Sequence, residues 1–298
     1  MSALVTISDG TLSASVDSLG AQLMSVRLDD VEYLWQGDPT WWSRRAPILF
    51  PIVGVLRDGC AQSASGPVKL ARHGIARLYE HRIAEKTAEH VTFELSDSEK
   101  TWPAYPYHFV LNMTYAVEDG ILTQRYQVRN TGPVDLPFVL GGHPAFKVPV
   151  PKNNGSELPD YELAFTRAWT SLGPSITPDG LCDFEHPQRL ITDSDSLPLS
   201  WELFDRELTL TLQDVPDRRV ALLPREISRG THGVELTFDG FDYLGVWCAG
   251  SGCPFVAIEP WTGVATALDE DDVFEHKRNM TLLSPGETFS RAFTIRPF

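Results

Sequence analysis

The chain is short of cysteine, of basic charge and of long apolar runs, and each shortage excludes something. Its 298 residues include four cysteines, Cys60, Cys182, Cys248 and Cys253. Four thiols in so long a chain predict free residues rather than a disulfide frame. Cys248 and Cys253 have no histidine or cysteine partners at zinc spacing, so no metal is expected. Lysine and arginine total 25 against 40 aspartates and glutamates, a formal net charge of -15. That excess repels nucleic-acid phosphates and anionic bilayers, so neither nucleic acid nor membrane is expected as a partner. No stretch approaches the ~18 apolar residues of a spanning helix. Residues Met1 to Asp9 carry no basic flank and no long apolar run, so no secretory leader is expected, and a cytoplasmic protein is. The chain also lacks G-x-S-x-G, G-x-x-x-x-G-K-[ST], H-E-x-x-H and G-x-G-x-x-G. Nucleophile-elbow hydrolases, P-loop enzymes, zinc proteases and dinucleotide binders are thereby set aside.

Long amphipathic helical patterns are missing as well, and strand patterns take their place. Leu12, Ala14 and Val16 alternate with small or polar residues, as do Met24, Val26 and Leu28 before the turn at Asp29-Asp30. Val91, Phe93 and Leu95 form a second set. Phe109, Leu111, Met113, Tyr115 and Val117 form a long one-sided strand, and Asp119-Gly120 is a two-residue hairpin signal. Further alternation runs through Leu208, Leu210 and Leu212 and through Val234, Leu236 and Phe238, and a strand is expected over Thr288 to Arg296. Residues 151 to 200 are rich in Pro, Ser, Asp and Gly, which predicts strands such as Tyr161 to Phe165 with long loops and room for a lid. No domain boundary or internal repeat is visible. The expected fold class is all-β, a large antiparallel β-sandwich occupying residues 1-298 as one domain.

Four stretches stand apart from this pattern. Pro47 to Gly54 (PILFPIVG) places two prolines around an apolar run, which argues against a central strand and for an extended packed loop. Just before it, Trp41 and Trp42 are either core residues or stacking faces for a sugar ring. Arg72 to Arg77 (RHGIAR) gathers two arginines and His73 around a glycine, either a solvated turn or a binding loop. Gly141 to Phe146 (GGHPAF) mounts His143 between glycines and a proline, which aims an imidazole from a rigid turn. Phe255 to Gly263 (FVAIEPWTG) ends an apolar strand on Glu259, and Pro260 is expected to stop the ladder there. A buried carboxylate needs a partner or a shifted pKa. A carboxylate and an imidazole can straddle a substrate that loses a proton at one atom and gains one at another.

Taken together and in this order, PILFPIVG, RHGIAR, GGHPAF and IEPWTG resemble the aldose 1-epimerase (galactose mutarotase) family, most closely its LacX-like branch. The resemblance covers nearly the whole chain, and its HPAF and EPW segments are specific in combination. It implies a galactose-mutarotase-like β-sandwich and no cofactor. On matching positions it implies Glu259 as general base at the C1 hydroxyl and His143 as general acid at the ring oxygen. His73 would hydrogen-bond the sugar, Arg77 would lie near it, and Asp242 matches a substrate-binding aspartate. Where many relatives carry an arginine after the FPxxG segment, this chain has Val55. Arg57 is the candidate substitute, since residues two apart on a strand share a face.

The leading expectation is an isomerase acting on a free aldohexose, with a small-molecule sugar as its partner and its oligomeric state open. Ordinary pKa values make His143 the proton carrier and Glu259 the carboxylate. A hexose-6-phosphate 1-epimerase is the nearest alternative, with Arg44, Arg45, Arg57, Arg72 and Arg77 as candidates for a phosphate pocket. A non-catalytic sugar sensor is another. A glycoside hydrolase fits less well, since most use two carboxylates.

Overall fold

The computed structural model describes residues 2–150, 155–204, 209–226 and 231–298. No α-helix occurs among them; strands are joined by turns and short 3-10 segments. A nine-stranded sheet forms the broad layer, and every strand pair in it is antiparallel. Its best-patterned pair, Phe109–Glu118 with Ile121–Asn130, turns at Asp119-Gly120 as the hairpin signal requires. Phe109, Leu111, Met113, Tyr115 and Val117 all point inward and are buried, while their alternates are partly exposed. The strand Thr288–Pro297 sits in the middle of this sheet, between Val234–Thr237 and Ile121–Asn130. Leu208 lies outside the described residues; its neighbours form the strand Leu210–Gln213.

One expected alternation fails for a local reason. In the strand Gln22–Leu28, Leu23 and Val26 are buried, whereas Met24 and Leu28 are not. Ser15 pairs with Ser25, but the next residue, Val16, pairs with Leu23. Met24 is therefore an extra residue in the ladder, and the inward face changes parity across this bulge.

A second, six-stranded sheet carries the stretches that stood apart in the sequence. Its order is Leu210–Gln213, Tyr243–Trp247, Phe255–Trp261, Gly141–Gly142 and Ile48–Leu49, with Ala145–Lys147 also paired to Phe255–Trp261. The strand Phe255–Trp261 is buried along its whole length. It runs through Pro260 instead of stopping there. Ile258 N–H donates to the Pro144 carbonyl and Thr262 N–H to the Leu140 carbonyl. Residue 260 lies between them on the same edge, and proline has no N–H to satisfy. That gap in the ladder is where the chain leaves the sheet as the His143-Pro144 turn.

Gly141 and Gly142 serve this sheet through their missing side chains. Both have ordinary extended backbone. A Cβ on Gly142 would lie 2.7 Å from the Phe293 ring and 3.2 Å from the Tyr126 hydroxyl oxygen. Both rings belong to the nine-stranded sheet, so Gly142 is a point where the layers touch. Gly142→Ala is expected to cost about 1–3 kcal/mol by overpacking. Thermal denaturation should show a melting temperature lower by roughly 2–4 °C for each kcal/mol lost.

Candidate active site

His143 leaves the inner sheet at its turn and meets Glu259 on the neighbouring strand. His143 Nε2 lies 3.3 Å from Glu259 Oε2. The glutamate is 1% exposed and the histidine 7%, so bulk water solvates neither. Gly245 pairs directly with Glu259, and Tyr243 with Trp261. A Cβ on Gly245 would sit 2.3 Å from the Trp261 indole, so only glycine lets that ring lie across the strand beside Glu259.

The pair forms part of the lining of a cavity of about 380 Å³. Trp42 stacks on the His143 ring at a centroid separation of 4.8 Å, and Trp247 meets its edge at 5.8 Å. Trp42 is held in turn because its carbonyl accepts the Trp35 Nε1–H. The hairpin of Gly173–Ile176 and Cys182–Gln188 brings Ile176, Pro178 and Gly180 to the cavity, in the region where a lid was expected.

His73 enters from the RHGIAR loop. That loop is tied to the FPIVG segment: His73 N–H donates to the Gly54 carbonyl and Ile75 N–H to the Phe50 carbonyl. His73 has a left-handed φ of 67°, an uncommon conformation for a side-chain-bearing residue. Its Nδ1 accepts the Gly54 N–H at 3.1 Å. Nε2 therefore carries the proton of the neutral ring and is left to donate. The ring meets His143 edge-on, with centroids 5.5 Å apart. Burial, followed by His143 and then Arg77, Arg72 and Arg44, holds His73 well below the usual imidazole range, so it is neutral.

Burial also sets the charge of the central pair. It pushes the Glu259 carboxyl well above the usual range, against weaker opposing effects of Trp261 and Arg72. It pushes His143 down to about 3; Arg77 and Arg72 act in the same direction. Burial thus favours the protonated form of Glu259 and the unprotonated form of His143, the reverse of the order expected from ordinary pKa values. Both Glu259 oxygens, His143 Nδ1, Trp261 Nε1 and Arg77 Nε are buried without a hydrogen-bond partner. Buried polar atoms are seldom left so, and a group of them around one cavity marks a place where a polar ligand would supply the partners.

Of the residues expected at the site, Glu259, His143, His73 and Arg77 line this cavity together. Arg57 and Asp242 do not. Arg57 lies in a 3-10 turn, Arg57–Gly59, rather than on a strand, so the shared-face argument fails. Its Nε donates to both Asp272 oxygens at 3.0 Å, and its Nη2 donates to the Ala267, Leu268 and Glu270 carbonyls. It clamps the 267–272 loop. Asp242 accepts from Asn279 Nδ2 at 3.4 Å, on the far side of the Tyr243 hydroxyl contact with Asn279. On the strand Tyr243–Trp247, the residues cross-paired to the Glu259 face are Tyr243, Gly245 and Trp247. Asp242 precedes them with the opposite parity. Trp247 and Trp261 are among the lining residues that motif reading passed over. Trp261 was reachable, since it lies two residues from Glu259 on a strand. Trp247 needed the inter-strand register.

Comparison with known proteins follows the same lines. The family model for aldose 1-epimerase matches residues 3–296. The chromosomal protein LacX of Lactococcus lactis subsp. lactis is 32% identical over 292 residues, 95% of this chain and 96% of its own length. A galactose mutarotase related enzyme from Lactobacillus acidophilus superposes with a TM-score of 0.93 at 28% identity, covering 99% of this chain and 97% of that one. A galactose 1-epimerase from Lactobacillus acidophilus NCFM shares the fold, with a TM-score of 0.69 at 16% identity over 100% of this chain and 94% of that one.

The charge state has a measurable signature. A carboxyl whose folded pKa is raised contributes stability below its unfolded value, about 4.5, and that stability is lost as pH rises through the folded value. Glutamine escapes this loss. Glu259→Gln should therefore match the parent near pH 4 and melt at a higher temperature than the parent at pH 8, without ligand. A variant that melts lower at pH 8 would show a stabilising ion pair in place of a desolvated acid.

Proposed function

The chain belongs to the aldose 1-epimerase family, and from that premise we propose that it interconverts the α and β anomers of an aldohexose by acid/base ring opening and closure. The observation that carries this reading is the His143–Glu259 pair, with Nε2 and Oε2 3.3 Å apart in the lining of the cavity. Ring opening breaks the O1–H and C1–O5 bonds and forms C1=O1 and O5–H. One proton is taken and one is given, and a pair holding a single proton supplies both needs. Sugar hydroxyls replace the hydration that burial removed, and proton transfer across the pair gives carboxylate and imidazolium. Glu259 then takes the O1 proton while His143 protonates O5.

At the open aldehyde the proton is back on Glu259 and His143 is neutral. This is the charge state that burial favours for the two residues. Rotation about C1–C2 exposes the other face of the carbonyl. The same two residues, run in reverse, close the ring to the other anomer. His73, with Nδ1 engaged by Gly54, offers its Nε2–H to a sugar oxygen. The Trp42 and Trp247 rings give apolar faces to the sugar's C–H groups. The proton transfers that opening and closure require are ones these side chains can perform.

Polarimetry of freshly dissolved α-aldohexoses, free and 6-phosphorylated, tests the reading against a buffer blank. His143→Asn and Glu259→Gln are each expected to lower kcat by about 10²–10⁴-fold, the usual span of one acid or base. Either variant turning over at the parental rate would remove its residue from the role. Sugar binding with no acceleration in the parent would point instead to a sensor.

A further inference from the structure

The acid/base chemistry asks His143 to carry a positive charge in a place that resists it. Burial and the charges of Arg77 and Arg72 all disfavour the imidazolium. His73, edge-on at 5.5 Å, is neutral and supplies no countercharge. Glu259 balances the imidazolium only until it takes the O1 proton. The imidazole is, however, packed among aromatic rings. Trp42 lies over its face, with centroids 4.8 Å apart and planes inclined by 26°. Trp247 stands nearly perpendicular to the same ring, at 5.8 Å and 80°.

A stacked indole suits a cation. Its face carries the negative part of the ring quadrupole, and tryptophan holds a positive group there better than tyrosine or phenylalanine does. A stacked imidazolium presents its charge to that face while its N–H bonds lie in its own plane. Nε2 stays directed at Glu259, 3.3 Å away, and Nδ1 stays unengaged. Trp42 can therefore favour the charged ring without competing for either nitrogen. A carboxylate in the same place would favour the cation more strongly but would also draw off the proton that O5 needs.

Trp42 is also fastened in this position. Its N–H donates to the Asp38 carbonyl at 3.0 Å, and its carbonyl accepts the Trp35 Nε1–H at 2.8 Å. Trp35 N–H in turn donates to the Ala145 carbonyl, two residues beyond His143, so the segments that carry the indole and the imidazole are bonded to one another. Trp247 meets the Trp42 ring at 72° and 5.4 Å, and Phe255 packs against both, at 5.8 Å from Trp42 and 5.7 Å from Trp247. We propose that Trp42 is a positioning residue of the proton transfer, whose π face orients the His143 ring and stabilises the imidazolium that protonates the ring oxygen. The inference rests on the acid/base reading of this site. It adds a residue that acts through His143, apart from any apolar face the indole offers a sugar.

The test measures kcat and KM by polarimetry, with whichever of α-D-glucose, α-D-galactose and α-D-glucose 6-phosphate the parent turns over fastest. The parent is compared with Trp42→Phe, with Trp42→Leu, and with proteins carrying mono- or trifluorinated tryptophan at position 42 alone. Fluorine withdraws negative charge from the ring face and leaves its shape nearly unchanged, so the packing stays while the cation–π attraction fades. kcat is expected to fall stepwise with fluorination, and by about 10–30-fold in Trp42→Leu, the span of one desolvated cation–π contact. Trp42→Phe keeps a weaker face and should lie between, and KM should change little throughout. Parental kcat in the fluorinated proteins would overturn the inference and leave the epimerase intact, even if Trp42→Leu were slow or failed to fold. A rise in KM at constant kcat would overturn it too and assign the indole to the sugar. A parent that turns over none of these sugars would remove the acid/base reading, and the role of Trp42 with it.

Discussion

A carboxyl group kept almost dry governs this site. Glu259 lies on a strand buried from end to end, with the His143 imidazole 3.3 Å away. Removing water from a carboxylate costs several kcal/mol unless hydrogen bonds replace it, and here the group responds by holding its proton. The consequences spread outward. His143, facing an acid that is not charged, gains no electrostatic help and stays neutral. His73, desolvated beside it, is neutral too and becomes a donor of fixed orientation. The chemistry then depends on a ligand to restore what burial withholds, so substrate binding and activation of the pair are one event.

The inner sheet is built to tolerate this. Pro260 closes the ladder without a stranded N–H at the point where the His143 turn departs. Gly245 leaves room for Trp261, whose ring covers the approach to Glu259 from within the sheet. The nine-stranded sheet supplies much of the continuous apolar core around it.

Much of this was legible from sequence because it rests on local patterns. Alternation from Phe109 to Val117 and the Asp119-Gly120 turn encode a hairpin through periodicity and turn chemistry alone. His143 and Glu259 stand out as polar residues in apolar, turn-flanked settings. Other features depend on contacts distant in sequence. Met24 is a bulge residue only because of how it pairs with Ser15 and Val16. Arg57 looked like a sugar ligand until the 267–272 loop supplied five acceptors for it. Asp242 missed the cavity by one residue of strand parity. The charge of the Glu259–His143 pair was misjudged because ordinary pKa values assume water, and burial is a property of the fold.

The position of the strand Thr288–Pro297 has a consequence for biosynthesis. It fills the middle of the nine-stranded sheet, and both flanking strands are made before it. Until it emerges from the ribosome, Ile121–Asn130 and Val234–Thr237 each present an unpaired edge, and the sheet exists as two separate halves. Such edges invite pairing with other chains. The nascent protein therefore passes through a long interval in which half-sheets must be kept apart from their neighbours.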